Sequence, residues 1–212
     1  MTNFDSQAAV VGASVVAFAA GLPATHREDV YMITAYAQQA TRAAVNDGLS
    51  GSWFDYYRKQ LQFLGWDVPK PQRLSPLAED VMASQGARQI QLNLGERYAS
   101  PMRSALGAME RDAQAIALFD DIAYTAEAGV FQMIPCVMDG PNKVVLGLYH
   151  REFRVSRRGS GFLFGKGAAQ VHDSTEQIAS VTLNLLHYGD YRERVKKSVL
   201  SHSLKYINSL HL

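Results

Sequence analysis

The sequence predicts a single α+β domain: a helical N-terminal half packed on an antiparallel sheet of three to four strands, with a C-terminal helix closing it. Three observations carry this. Apolar residues recur at helical spacing through most of the stretch from about residue 5 to about residue 128. From about residue 129 onward, runs rich in β-branched and aromatic residues alternate with turn chemistry. The last stretch returns to a helical pattern. Elements segregated in this way belong to the α+β class rather than to alternating α/β folds. The chain has 212 residues, long enough to bury a core without disulfides or structural metals.

Residues 8–22, AAVVGASVVAFAAGL, carry no charge. No lysine or arginine precedes them, which argues against a signal peptide, and the run is shorter than the roughly 20 apolar residues of a membrane span. It reads as a buried helix capped by Asp5 or Ser6. After Pro23, Thr25 followed by Glu28 has the form of a capping box. Val30, Ile33, Ala37 and Ala40 then recur at helical spacing, and Asp47-Gly48 ends that helix. In SGSWFDYYRKQLQFLGWDV, Trp53, Tyr57, Leu61 and Leu64 share one helical face, and Gly65 closes it.

Residues 67–76 contain three prolines and form a connector within the domain. Residues 77–128 are mainly helical, with Ser100 as a cap, Pro101 at a first helical position, a break near Arg111-Asp112 and Gly129 as terminator. The sheet follows. VFQMIPCVMD and NKVVLGLYHREFRVS form a hairpin across DGPN, GFLFGKGAAQVH adds a third strand beyond RRGSG, and IASVTLNLLHYG supplies a fourth. Pro135 predicts an edge position or a bulge in the first of these. DYRERVKKSVLSHSLKYINSLHL reads as the closing helix, with Asp190 as N-cap and Val195, Val199 and Ile207 on its apolar stripe.

The net charge of +1 creates no global field for nucleic acid or an anionic bilayer, and no nucleic-acid partner is expected. Arg58 and Lys59 among Tyr56, Tyr57 and Trp66, and the basic run at residues 191–197, fit packed and solvated helix faces. A single cysteine, Cys136, excludes an internal disulfide and cysteine-rich zinc sites. The six histidines, His26, His150, His172, His187, His202 and His211, form no metal-binding box, so no metal is expected. GSGFLFGKGA is not a phosphate loop. Gly161 stands one residue too close to Gly165-Lys166, and Gly167 replaces the hydroxyl residue. Asp120, Asp121 and Glu127 cluster in sequence, but neighbours on a helix point about 100° apart.

Cys136 is the one residue with distinctive chemistry. Met133, Ile134, Pro135, Val137 and Met138 around it are apolar, which raises a thiol pKa and disfavours the thiolate that a nucleophile requires. Free cysteine is also among the most buried residue types, so an inert core position accounts for it as well. An apolar setting suits a third role, a fatty-acyl thioester, since each buried methylene contributes about 0.8 kcal/mol.

The order of an alanine-rich apolar first helix, aromatic helices containing SWFDYYRKQLQFLGWDV, then FQMIPCVMDG with KVVLGLYHREF, and last YRERVKKSVLSHSLKYI resembles the Evf-type bacterial virulence factors (the Erwinia virulence factor family). The likeness covers most of the chain in layout. It implies an α/β fold without known enzymatic activity, association with persistence in the insect gut, and palmitate held as a thioester on a buried cysteine, the position that Cys136 occupies here.

The leading expectation is therefore a non-enzymatic bacterial virulence or toxin-like factor acting on an insect or other animal host, with Cys136 as lipid attachment site and covalent palmitate as its only cofactor. Its expected partners are a fatty acyl chain or membrane lipid and an unidentified host target. It would be made in the bacterial cytoplasm, then associate with membrane or leave by another route. The alternatives are a membrane-active or pore-forming protein using residues 8–22, and an acyl-transfer enzyme pairing Cys136 with His150 or His172.

Overall fold

The apolar run at the N-terminus is a β-hairpin, not a helix. In the computed structural model, which describes residues 7–49, 52–77, 81–124, 128–157, 159–165, 170–202 and 206–212, β1 (Ala8–Val11) pairs antiparallel with β2 (Ser14–Phe18). A two-residue turn joins them, with Gly12 at a left-handed φ of 57°. The expected caps Asp5 and Ser6 lie outside the described residues. Both faces of the hairpin are buried, so no polar residue alternates with the apolar ones, and periodicity alone cannot separate such a strand from a buried helix. The valines at 10, 11, 15 and 16 and the glycine between them are what select the strand.

Gly12 also makes room. A Cβ there would overlap Oε1 of Gln38, whose side chain accepts from Ala13 N (3.0 Å) and donates to Val11 O (3.0 Å) and to Ser14 Oγ. Gly12→Ala is expected to lower stability by about 1–3 kcal/mol, from left-handed strain and a displaced buried amide. A urea denaturation midpoint checks this, and an unchanged midpoint contradicts it.

Helix α1 (Ala24–Asn46) starts at Pro23 with no side-chain cap. The expected capping box does not form: Thr25 lies inside the helix, and Glu28 ion-pairs with Lys196 at 2.8 Å. Gly48, at φ 68°, ends the helix as expected. In α2 (Trp53–Phe63), Ser52 Oγ accepts from Asp55 N. Tyr57, Leu61 and Leu64 are buried, and Gly65 follows at φ 86°. The proline-containing connector holds two short strands, β3 (Trp66–Asp67) and β4 (Gln72–Leu74), that pair with a long strand of the sheet.

Helices α3 (Met82–Leu94), α4 (Glu96–Glu110) and α5 (Ala113–Ala123) fill the rest of the first half. Here α4 begins five residues before Pro101, which lies inside it. A proline this near a helix start removes only one internal hydrogen bond. The break at Arg111-Asp112 is real, and Asp112 Oδ1 caps α5 by accepting from Gln114 N (2.9 Å) and Ala115 N (3.0 Å). Because α5 ends at Ala123, Gly129 belongs to the sheet instead of terminating a helix.

Among the described residues the sheet has eight strands, not three or four. Its long members are β5 (Ala128–Met138), β6 (Lys143–Arg157) and β7 (Gln170–Asn184). The expected third and fourth strands are largely one: Phe162–Phe164 form a 3-10 turn, β7 runs unbroken from Gln170 to Asn184, and the residues from Leu185 begin the closing helix. The order is β3-β7-β6-β5-β2-β1-β8, with β4 also on β7 and β8 being Ile207–Ser209. Every pairing is antiparallel except β2 with β5. Pro135 is thus interior, with neighbours on both sides, and no bulge accompanies it: the β5–β6 register is the same before it (Met133↔Tyr149) and after it (Cys136↔Leu146). Gly147 stands beside it, where a Cβ would come 3.2 Å from Pro135 Cγ.

The closing helix α6 (Leu185–His202) starts earlier than Asp190. Asn184 Oδ1 accepts from Leu186 N (3.1 Å) and His187 N (3.3 Å) at its start. Val195 and Val199 are buried on it, whereas Ile207 lies in β8. Much of the basic run is committed to α1: Arg192 grips Asp29 through two 2.8 Å bonds, and Lys196 holds Glu28.

The result is three layers. One face of the sheet packs α3, α4 and α5 around Phe119, Phe131, Phe153 and Phe162. The other packs α1, α2 and α6 around Phe18, Tyr31, Phe54 and Tyr57, and Cys136 belongs to this second layer. The class is mixed α and β as predicted. The extra strands arise because the N-terminal segment and the chain end join the same sheet.

Candidate functional site

Alternation along β5 decides where Cys136 points. Val130, Gln132, Ile134 and Cys136 face the α1/α2 layer, while Phe131, Met133 and Val137 face the other. Phe18 of β2 and Leu146 of β6 stand at the partner positions on either side. The sulfur is fully buried, and its S–H points to the Ile134 carbonyl at 3.5 Å. Burial pushes the thiol pKa well above its ordinary value. Three tyrosines lie close enough to feel it: Tyr31 of α1, Tyr57 of α2 and Tyr98 of α4 are all raised, chiefly by burial and in part by Cys136.

The histidines expected as partners are not brought to the sulfur. His150 is on the same sheet face but four residues along β6 from Leu146, roughly 13 Å at strand spacing. His172 lies further along β7, opposite Arg154, and bonds to Ser156 Oγ at 2.9 Å. Nor do the two histidines meet, since His150 stands opposite Gln177. The arrangement therefore holds no base near Cys136 among the described residues, and a nucleophile needs one within hydrogen-bond reach.

The carboxylate cluster separates similarly. Asp120 accepts from Gly161 N at 2.6 Å and Ser160 Oγ at 3.2 Å, tying α5 to the 3-10 turn. Burial raises its pKa, against those two bonds. Asp121 is exposed, and Glu127 lies outside the described residues. Among the described residues no group of three metal-binding side chains converges, and no helix is long and apolar enough to cross a membrane.

One constellation was not anticipated. A buried polar row crosses the α1/α2 face: Ser14 Oγ donates to Gln132 Oε1 at 2.8 Å, and Gln132 stands opposite His150. His150 Nε2 meets Glu152 Oε1 at 2.9 Å, and its ring lies between Phe54 (4.1 Å) and Trp53 (5.5 Å), nearly parallel to both. Gln132 Nε2 and His150 Nδ1 are buried with no hydrogen-bond partner among the described residues. The one trace of this row in the sequence is Gln132 itself, a polar residue inside an apolar strand run.

Among the cavities on the described surface are three of about 280–580 Å3. One of about 580 Å3 lies between α3 and α4, beside Arg88, Arg103 and Leu106. One of about 300 Å3 lies against α1, beside Gln38, Arg42, Trp53 and Val130. One of about 280 Å3 adjoins Asp120 and Tyr124. Cys136 lines none of the three.

Fold and site together define a three-layer mixed domain with one internal thiol. No family model and no curated protein matches the chain. Among solved structures it is similar to a delta-endotoxin, at 12% identity over 79% of this chain and 78% of that one, with a TM-score of 0.45. It is similar to the activated Cyt2Ba monomer from Bacillus thuringiensis subsp. israelensis, at 14% identity over 62% and 80%, with a TM-score of 0.38. It is also similar to the Evf virulence factor, at 13% identity over 98% of this chain and 87% of that one, with a TM-score of 0.38.

Proposed function

We propose that this chain is a non-enzymatic, toxin-like bacterial virulence factor acting on an insect or other animal host, with Cys136 as the attachment point of a fatty acyl thioester. The observation that carries the acyl site is the complete burial of the only cysteine thiol within an apolar layer of helices on a sheet. A thioester there is sheltered from water and from competing nucleophiles, and the chain's methylenes gain apolar neighbours. The thiol would take the acyl group from a thioester donor and release the donor's own thiol. The raised thiol pKa and the distance to His150 give the enzymatic alternative no support.

Because Cys136 lines none of the three cavities described, the chain would lodge by displacing neighbouring side chains of α1 or α2. Intact mass of the protein purified from bacteria, before and after neutral hydroxylamine, tests this. The expected result is loss of one palmitoyl mass, absent in a folded Cys136→Ala variant, together with weaker host-cell toxicity of that variant. An unmodified mass before treatment removes the acyl site. Undiminished toxicity of Cys136→Ala removes its role.

A further inference from the structure

We propose that His150 and Glu152 form an acid-operated latch that holds the first turn of α2 on the sheet, over the layer containing Cys136. The latch stands on the protein fold and does not depend on whether Cys136 carries an acyl group.

The geometry is a clamp with three contacts. Phe54 and Trp53, the first two residues of α2, lie nearly parallel to the His150 ring, at 6° and 13°. Trp53 also stacks on Tyr57 one turn later, at 5.2 Å. Glu152 bridges the rest: it takes a hydrogen bond from His150 Nε2 and another from the Phe54 backbone N–H at the start of α2. A helix N-terminus leaves its first N–H groups unbonded and favours negative charge, so one carboxylate both satisfies α2 and orients the imidazole.

An ionised carboxylate only accepts, so Nε2 carries the ring hydrogen and Nδ1 is left as a bare acceptor. A second proton must go to Nδ1. That atom is buried with no partner among the described residues, and the ring is fully buried between helix and sheet. The charged groups facing it are Glu152 on its own strand and Asp55 on α2. The neighbouring strands present Gln132 and Gln177, neither titratable. The closed clamp therefore holds neutral imidazole comfortably and imidazolium poorly. Once α2 lifts, water solvates the charged ring.

The direction follows. Burial lowers the closed-state pKa of His150 below its ordinary 6.5, against the pull of Glu152 and Asp55. In the open state it returns toward that value, so opening takes up a proton and is favoured as pH falls below about 6.5. Glu152 is lowered from 4.5 when closed, first by the His150 bond, and its share of the clamp is lost as pH falls through that lowered value. Both groups have the same sign. Across the window, the open population rises by up to about tenfold per pH unit for each proton taken up. Opening lifts Tyr57, which lies beside Cys136 and is hydrogen-bonded to Thr34 of α1.

Amide hydrogen exchange of residues 53–63 between pH 7.5 and 5.0, corrected for the chemical exchange rate, reads the latch. Residues 82–110 on the opposite face serve as the internal reference. The expected result is at least a tenfold gain in α2 opening relative to that reference. It should be absent in His150→Phe, which keeps a stacking ring without a titrating nitrogen. Glu152→Gln should open α2 already at pH 7.5. Parallel change in both segments, or a pH response retained in His150→Phe, overturns the proposal. If His150→Phe does not fold, Trp53 fluorescence in a Trp66→Phe background decides: a transition with its midpoint below 6.5 supports the latch, and a flat profile between pH 7.5 and 5.0 overturns it.

Discussion

Glu176→Ala is expected to destabilise the domain by about 3–5 kcal/mol, roughly a fifth or more of the stability of an ordinary domain. Glu176 lies on the α3 face of β7, directly opposite Arg151 of β6, and its side chain is fully buried while that of Arg151 is 8% exposed. Its carboxylate takes the Tyr149 hydroxyl at 3.0 Å and the Gln89 amide at 3.4 Å, and lies 3.5 Å from the Arg151 guanidinium. Arg151 reaches on to Gln85 of α3, whose amide holds the Leu77 carbonyl at 2.9 Å, and Gln89 likewise holds Ser75.

This cluster therefore fastens α3 and the segment before it to the middle of the sheet. Removing the carboxylate leaves a buried guanidinium uncompensated, which is where the cost arises. The double variant Arg151→Met with Glu176→Leu is expected to recover most of the loss, because it removes both charges and keeps volume. Urea denaturation of the three proteins checks this. A double variant no better than the single would mean that the hydrogen bonds, not the unpaired charge, dominate.

Phe131→Ala is expected to cost a similar amount, about 3–5 kcal/mol, for a different reason. Phe131 is fully buried on β5. Its ring centroid lies 6.1–6.2 Å from those of Phe119 of α5, Phe153 and Tyr149 of β6, and Phe162 of the 3-10 turn. Rings at these spacings and tilts interlock, so the neighbours cannot collapse into the space and a cavity remains. Leu92→Ala on α3, 58% exposed, serves as the control and should change stability by no more than about 0.5 kcal/mol. Equal losses from the two substitutions would refute the interlocked aromatic core.

How much of this was legible in the sequence varies by element. α1 and α2 announce themselves by amphipathic spacing and end at glycines, and the helical character of residues 82–123 was legible with its break at Asp112, whereas the division at Gly95 and the end of α5 at Ala123 were not. The β5–β6 hairpin was legible from its turn and its β-branched content. The N-terminal hairpin was not, because a strand buried on both faces loses the alternation by which a half-exposed one is recognised. β3, β4 and β8 are two or three residues long and exist only because longer strands offer them an edge.

At the site, the apolar surroundings of Cys136 were readable from its five neighbours in sequence, and its full burial bears that out. Its distance from His150 was not readable, because pairing register, and not residue order, sets which side chains face one another across strands. The same holds for the two buried polar groupings. Gln132 with His150, and Arg151 with Glu176, are far apart or unremarkable in sequence and become neighbours only through the β5–β6–β7 register.

The sequence by itself determined a mixed α and β domain, the positions of most helices, and a lone thiol among greasy side chains, since these depend on local spacing and composition. Only the tertiary structure decided that the first apolar run is a hairpin, that Pro135 is interior, and that His150 clamps α2 rather than serving Cys136. Each of those depends on hydrogen-bond partners many residues away, and a one-residue change in strand register would have moved every one of these side chains to the opposite face.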